Sequence, residues 1–219
     1  LPLAGKTGTS QDYADAWYGM AMVEQQSQAW QRVYGDLTKV IEINPKHLKA
    51  LLAISTLQSL GGDLQAALKN ANTAMEVAPD DPNVIAHKAT VLFKLDDQEG
   101  ALREARRALA LKPNHPGATM VVASGQLRSG DIDGALASAD AALAESPKDL
   151  GLHLLKLAVL EKGGDVAKQE AGIREMMAMF PDRPEFRAGL IEFLISKNRS
   201  EEAVTELRAI MAAQPDNSD

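Results

Sequence analysis

The four histidines are the side chains of this chain best suited to metal binding or to proton transfer near neutral pH. They are His47, His87, His115 and His153. No two of them stand four residues apart, the spacing at which two histidines of one helix share a metal ion, so no metal site is predicted. His47 and His115 occupy equivalent turn positions, His153 a packing position, and His87 a predicted inner face where it could contact a ligand.

Paired acids are the second candidates for chemistry, because two neighbouring carboxyl groups can act as general acid and base. The pairs Asp80-Asp81 and Asp96-Asp97 fall in predicted turns, where aspartate caps the following helix. Cysteine is absent, which excludes disulfide bonds and thiolate metal sites. We therefore predict no catalytic residue, no cofactor and no enzyme activity.

Gly5-Lys6-Thr7 could end a phosphate-binding loop of the form Gly-x-x-x-x-Gly-Lys-Thr. The first glycine of that motif would have to precede residue 1, and the next predicted helix starts too late to direct its backbone amides at a phosphate. The pattern does not favour nucleotide binding.

The elements that position these residues follow from a constant period of proline. Proline stands at residues 45, 79, 113, 147, 181 and 215, one every 34 residues. This period divides the chain, after a flexible or extended leader at 1–13, into the units 14–47, 48–81, 82–115, 116–149, 150–183 and 184–217. A unit of this length forms two helices that cannot bury their apolar faces alone, so neighbouring units must stack.

Each unit carries the signals of a helix, a short turn and a second helix. Repeats two to four place three alanines on one stripe of the second helix: Ala67, Ala71, Ala74, then Ala101, Ala105, Ala108, then Ala135, Ala139, Ala142. The turns are marked by Gly62-Asp63, Asp96-Asp97, Gly130-Asp131, Gly164-Asp165 and Asn198-Arg199. Glycine or asparagine ends a helix in the left-handed conformation, and aspartate favours the start of the next.

This pattern resembles the tetratricopeptide repeat family over residues 14–217. Trp17 and Ala21 match the family's large and small positions in the first unit, and Ala89 and Ala123 match the small position in later ones. Gln169 departs from the family by replacing an alanine in repeat five. The resemblance implies an all-α fold, a right-handed solenoid of six helix-turn-helix repeats.

A second, local resemblance concerns the leader. Residues 4–17 are similar to the Lys-Thr-Gly motif region of penicillin-binding proteins, through Lys6-Thr7-Gly8. That family needs a serine nucleophile in the motif Ser-x-x-Lys, which this chain lacks. Acyl transfer by this chain alone is excluded, and the segment is either a junction with such an enzyme or a coincidence.

In tetratricopeptide proteins the first helices line a concave face and bind ligands, so the resemblance also implies the binding residues. They are Tyr18, Met22, Leu52, Thr56, His87, Thr90, Met120, Val121, Ser124, Leu154 and Leu155. No unit combines lysine at its fifth position with asparagine at its ninth, so the family's carboxylate clamp is not expected. A largely apolar strip with methionines suits an amphipathic helix or an extended apolar peptide. Alternatively, several of these side chains simply pack between helices.

Charge and composition limit the partners. The net charge is -7, no basic block is present, and nucleic acid is therefore a poor partner. No stretch approaches the length of about 18 apolar residues that a membrane helix needs. We expect the chain to be part of a longer protein, and we leave its compartment open between a bacterial periplasm or envelope and the cytoplasm.

Two classes of function remain from the sequence. The first is a non-catalytic scaffold that binds a protein or peptide, in a bacterial envelope or export assembly. The second is a docking domain appended to an enzyme such as a peptidoglycan synthase, as the leader suggests. A third hypothesis is self-association through the terminal repeats, because Leu207 and Met211 leave the last helix apolar.

Overall fold

The computed structural model describes residues 9–213, and its regular elements in that range are α-helices alone, as the sequence predicts. The first helices of the six pairs are α1 (Ser10–Gln26), α3 (Leu48–Leu60), α5 (Pro82–Lys94), α7 (Pro116–Ser129), α9 (Leu150–Gly163) and α11 (Pro184–Ser196). The second helices are α2 (Trp30–Ile43), α4 (Leu64–Val77), α6 (Gln98–Leu111), α8 (Ile132–Glu145), α10 (Val166–Met179) and α12 (Ser200–Ala213).

Helix α1 begins at Ser10, so residues 10–13 are helical and not part of an extended leader. The reason is a capping box that the sequence analysis missed. The backbone N–H of Thr9 donates to Asp12 Oδ2 at 2.7 Å, and the N–H of Asp12 donates to Thr9 Oγ1 at 3.2 Å. These two bonds satisfy amides that have no partner within the helix. The first helices of the other five units begin at residues 48, 82, 116, 150 and 184.

The second helices share one start signal. Asp63, Asp97, Asp131 and Asp165 each accept a hydrogen bond from the backbone N–H three residues later, at 2.9–3.1 Å. The residue before each aspartate has a positive φ, from 65° at Asp96 to 87° at Gly62. The left-handed residue reverses the chain, and the aspartate then caps the next helix.

The chain divides into two compact units, of which unit 1 extends to Gly125. Within unit 1, each helix from α1 to α6 packs on the next, and α3 also contacts α5. The alanine stripe is fully buried, as at Ala71 and Ala105. Because an alanine side chain ends at Cβ, neighbouring helices approach closely along this stripe.

Unit 2 begins at Gln126. Within it each helix from α8 to α12 packs on the next, and Leu190 and Leu194 form the centre of one core cluster. Lys156 of α9 is a half-buried cation. Its Nζ lies 2.9 Å from Asp140 Oδ1 and 3.6 Å from Glu175 Oε2, so the half-buried charge is paired.

Candidate functional site

The predicted binding residues of unit 1 start on α1 with Tyr18 and Met22. Both are half-buried and pack against one core cluster that includes Ala50 and Ile54 of α3. The Tyr18 ring also lies 5.0 Å from the His47 ring, measured between centroids. These side chains combine a packing role with a partly exposed apolar surface.

Leu52 and Thr56 continue the predicted surface on α3. Leu52 is half-buried against a cluster that includes Leu51 and Val84, whereas Thr56 is exposed. The Thr56 hydroxyl donates to the Leu52 carbonyl at 2.8 Å, and the Thr90 hydroxyl of α5 repeats this bond to its own helix at 3.0 Å. Both hydroxyls are satisfied locally, so a partner would meet mainly their methyl groups.

His87 is anchored by a buried serine. Its Nε2 lies 2.7 Å from Ser55 Oγ, and the Ser55 hydroxyl donates to the Ala67 carbonyl at 2.8 Å. Because the serine proton is used in that bond, His87 Nε2 carries the proton and donates it to Ser55. Burial, assisted by the positive charge of Lys94, lowers the pKa of His87 below its ordinary value. The imidazole is therefore a neutral structural group, and it is half-buried on α5.

The predicted residues of α7 separate into two kinds. Met120 and Ser124 are half-buried, but Val121 is only 3% exposed and belongs to the core cluster of Ala118 and Ile85. Val121 consequently offers almost no surface to a partner. We define the first-helix face of unit 1 by the remaining residues: Tyr18, Met22, Leu52, Thr56, His87, Thr90, Met120 and Ser124.

In unit 2 the two predicted neighbours on α9 also differ. Leu155 is 9% exposed and belongs to the buried core, whereas Leu154 is 48% exposed and lines a pocket. The pocket has a volume of about 290 Å³ and is bounded by α9, α10 and α11. It is lined by Leu154, Leu157, Ala158, Glu161, Gln169, Ile173, Met176, Glu185, Phe186 and Gly189.

Of the predicted binding residues, Leu154 lines this pocket, together with further first-helix residues of repeats five and six. Leu154 and Ala158 are the fifth and ninth residues of repeat five, and Gly189 is the sixth of repeat six. Sequence reasoning chose most of its candidates in repeats one to four and did not predict a pocket here. The available signal was Gln169, which replaces the small alanine of the second-helix stripe and now borders the pocket.

Two histidines have a structural role that sequence reasoning also missed. His47 Nδ1 accepts the N–H of Ala50 at 3.1 Å, and His115 Nδ1 accepts that of Ala118 at 3.4 Å. Each imidazole thus caps the helix that follows it. The opposite ring nitrogen reaches the preceding first helix, at 3.2 Å from Asp15 Oδ1 and 3.0 Å from Asn83 Oδ1 respectively. The signal was that His47 and His115 occupy the place of the helix-capping Asp81 and Asp149.

Lowering the pH is expected to destabilise unit 1 through His87 and His115. Burial lowers the pKa of both, assisted by Lys94 at His87 and by Lys112 at His115, where Asp81 opposes the shift. The unfolded chain therefore takes up these protons first. The stabilisation is present above the ordinary pKa of 6.5 and is lost as the pH falls below it through the lowered pKa.

Urea unfolding, followed by circular dichroism at pH 7.5 and at pH 5.5, measures this effect. The matched variant is His115→Asp, which installs the cap found at Asp81 and should show a weaker loss between the two pH values. An unchanged loss in this variant would mean that His115 does not contribute to the pH dependence.

Two further observations bear on chemistry. Within the range 9–213, His, Asp and Glu side chains do not assemble in groups of three or more that could hold a metal ion. Each helix of that range is too short or too polar to cross a membrane.

The chain resembles known proteins in its sequence pattern at one end and in its fold over most of its length. The model of the tetratricopeptide repeat family matches residues 173–219. A tetratricopeptide repeat protein from Parabacteroides merdae is 15% identical, with 91% of this chain and 79% of that one covered and a TM-score of 0.62. PilW, described as a widely conserved type IV pilus biogenesis factor, is 14% identical, with 94% and 95% covered and a TM-score of 0.75. PilF of Pseudomonas aeruginosa is 13% identical, with 95% of each chain covered and a TM-score of 0.68. No curated protein matches the chain.

The helix pairs recur at a constant period, they bury a stripe of alanines, and their first helices are partly exposed. These features define an α-helical repeat protein, a class whose members commonly bind protein partners. The particular repeat is the tetratricopeptide repeat: the model of that family matches residues 173–219, and the solved tetratricopeptide repeat structure shares the fold, as the sequence pattern predicts. None of the comparisons supports the resemblance to penicillin-binding proteins, and residues 4–8 of that segment lie outside the described residues.

Proposed function

We propose that this protein is a non-catalytic scaffold that binds an amphipathic helix or an extended apolar peptide on the first-helix face of unit 1. The observation that carries the proposal is a row of half-buried apolar side chains on successive first helices. Tyr18, Leu52 and Met120 are each the fifth residue of their repeat, and they and Met22 keep part of their apolar surface exposed. Exposed apolar side chains of this kind mark protein-binding surfaces.

The chemistry of this face agrees with a peptide ligand. Its threonine hydroxyls are bonded to their own helices, and His87 donates to Ser55, so the face presents few unsatisfied donors. Methionine adapts its shape to irregular apolar partners, which favours Met22 and Met120 as contacts. We assign the partner to a bacterial envelope or export assembly. The support is that PilW, which shares the fold, is a type IV pilus biogenesis factor.

The test is a double substitution of Leu52→Glu with Met120→Glu. Two carboxylates on the face would have to be desolvated against an apolar partner, which should weaken binding at least about tenfold. The immobilised wild-type chain and variant are exposed to the same bacterial extract, and the retained proteins are identified. The matched control is Leu111→Glu, an exposed leucine on the second helix α6.

The proposal requires that the partner is lost from the double variant and kept by the control. Circular dichroism must show that both variants keep the helix content of the wild type. If the double variant retains the same proteins as the wild type, the first-helix face of unit 1 is not the binding site.

A further inference from the structure

The pocket between α9, α10 and α11 has the size and lining of a receptor for one large side chain. Met176 of α10 forms its buried floor, and Leu157, Ile173 and Phe186 contribute apolar walls. A dry cavity of about 150 Å³ can hold benzene. The pocket between α9, α10 and α11, with about 290 Å³, therefore has room for a leucine, methionine or phenylalanine side chain. The Phe186 ring also packs against the Phe180 ring, with 5.8 Å between the ring centroids.

The charged side chains that line the pocket have one sign. Its lining contains Glu161 and Glu185, both exposed, and no basic side chain. Glu185 Oε1 is 3.1 Å from Arg183 Nη1, an exposed pair of the kind that contributes little free energy. Within residues 9–213, Glu161 has no ion-pair partner. A basic group beside the apolar anchor of a partner would therefore meet a complementary charge.

Gly189 keeps the pocket open at a cost to the helix. It lies in the interior of α11, where glycine is about 1 kcal/mol less favourable than alanine. A Cβ added at this position would meet no heavy atom within 4 Å, so packing does not require glycine there. Glycine is used in this way where another chain approaches the backbone closely.

We infer that this pocket binds a leucine, methionine or phenylalanine of a partner helix that also carries lysine or arginine one helical turn away, facing Glu161 and Glu185. The inference rests on the proposed function of the protein as a scaffold, but it concerns unit 2 and residues that the first-helix face of unit 1 does not include. One turn is the spacing that places two side chains on the same face of a helix.

The probe is an alanine-based helical peptide with one phenylalanine and an arginine four residues later. Its binding to the whole chain is measured by isothermal titration and by the methyl NMR signals of Ile173 and Met176. We expect these signals to shift, and we expect binding to weaken about fivefold or more when the peptide arginine is replaced by glutamate. Higher salt should weaken the binding of the arginine peptide, because it screens the charge pairs, and should leave the contribution of the phenylalanine to the affinity unchanged.

The protein variants test the location. Gly189→Leu places a side chain in the mouth of the pocket and should lower the affinity for the peptide at least about tenfold. The same substitution improves helix propensity. Gly35→Leu is the matched control, because Gly35 is also helical and an added Cβ there meets no atom within 4 Å. Glu161→Gln with Glu185→Gln should remove the preference for arginine over glutamate and keep the binding of phenylalanine.

No binding at about 1 mM peptide, equal binding by the Gly189→Leu variant, or equal affinity for the arginine and glutamate peptides would each overturn the inference. None of these results affects the test of the proposed function, which depends on Leu52 and Met120 in unit 1. Conversely, a failure of that test leaves the peptide measurement valid, so the two failures are distinguishable.

Discussion

Replacing Leu194 by alanine is expected to lower the free energy of unfolding by about 2–5 kcal/mol. Leu194 is fully buried in α11 and belongs to the core cluster of Leu190, Ile191 and Ala203 in unit 2. The substitution removes apolar contacts and leaves a cavity that the surrounding helices fill only in part. Urea unfolding followed by circular dichroism measures the change.

The next residue of the same helix provides the control. Ile195 is 55% exposed, so Ile195→Ala shortens a side chain of similar size that lies mostly in solvent. This variant should change the free energy of unfolding by less than about 0.5 kcal/mol. Equal destabilisation by the two variants would contradict the placement of this helix. Both variants leave the first-helix face of unit 1 intact and should bind its partner as the wild type does.

Replacing Ala105 by leucine is expected to destabilise unit 1 by about 1–3 kcal/mol. Ala105 is fully buried on α6, within a cluster that includes Ala89 of α5 and Ala118 of α7. Three added carbons have no free space there, so the helices must move apart or the side chain must adopt a strained rotamer. Thermal unfolding measures the loss as a lower Tm.

Ala110→Leu is the matched variant for this prediction. Ala110 is an exposed residue of the same helix, and leucine there should alter stability by no more than about 0.5 kcal/mol in either direction. If Ala105→Leu were as stable as Ala110→Leu, the alanine stripe would not be the contact surface between helices.

The fold could be predicted from the sequence because its signals recur. The alanine stripe is an example: Ala71, Ala105 and Ala139 occupy one position in three repeats, and all three are fully buried. A single alanine predicts nothing, but the same small residue every 34 positions implies the same close contact. The start of α1 is the exception, because it depends on Thr9 and Asp12, which lie outside the period.

The candidate site could be predicted only to within one residue along each helix. Met120 and Val121 are neighbours, as are Leu154 and Leu155, and in each pair the first is more exposed than the second. Successive residues of a helix point about 100° apart, so a small rotation of the helix decides which one packs inward. In repeat three the order reverses, since Ala86 is buried and its neighbour His87 is not.

The pocket and the histidine caps were not predicted, because their sequence signals are weak and each depends on local geometry. The pocket arises where Gln169 breaks the alanine pattern, and its shape depends on three helices at once. Histidine is not among the usual helix-capping residues, so His47 and His115 could be assigned that role only from their equivalence to Asp81.

The aspartate caps also bear on how such a chain changes its length during evolution. Asp63, Asp97, Asp131 and Asp165 each bond to an amide of their own repeat. A duplicated block of 34 residues therefore brings its own start signal for the second helix, and a deleted block takes its signal away with it. Repeats can be gained or lost in whole blocks without a compensating substitution at these caps. A single residue inserted within a second helix instead rotates the alanines that follow it in that helix out of the stripe.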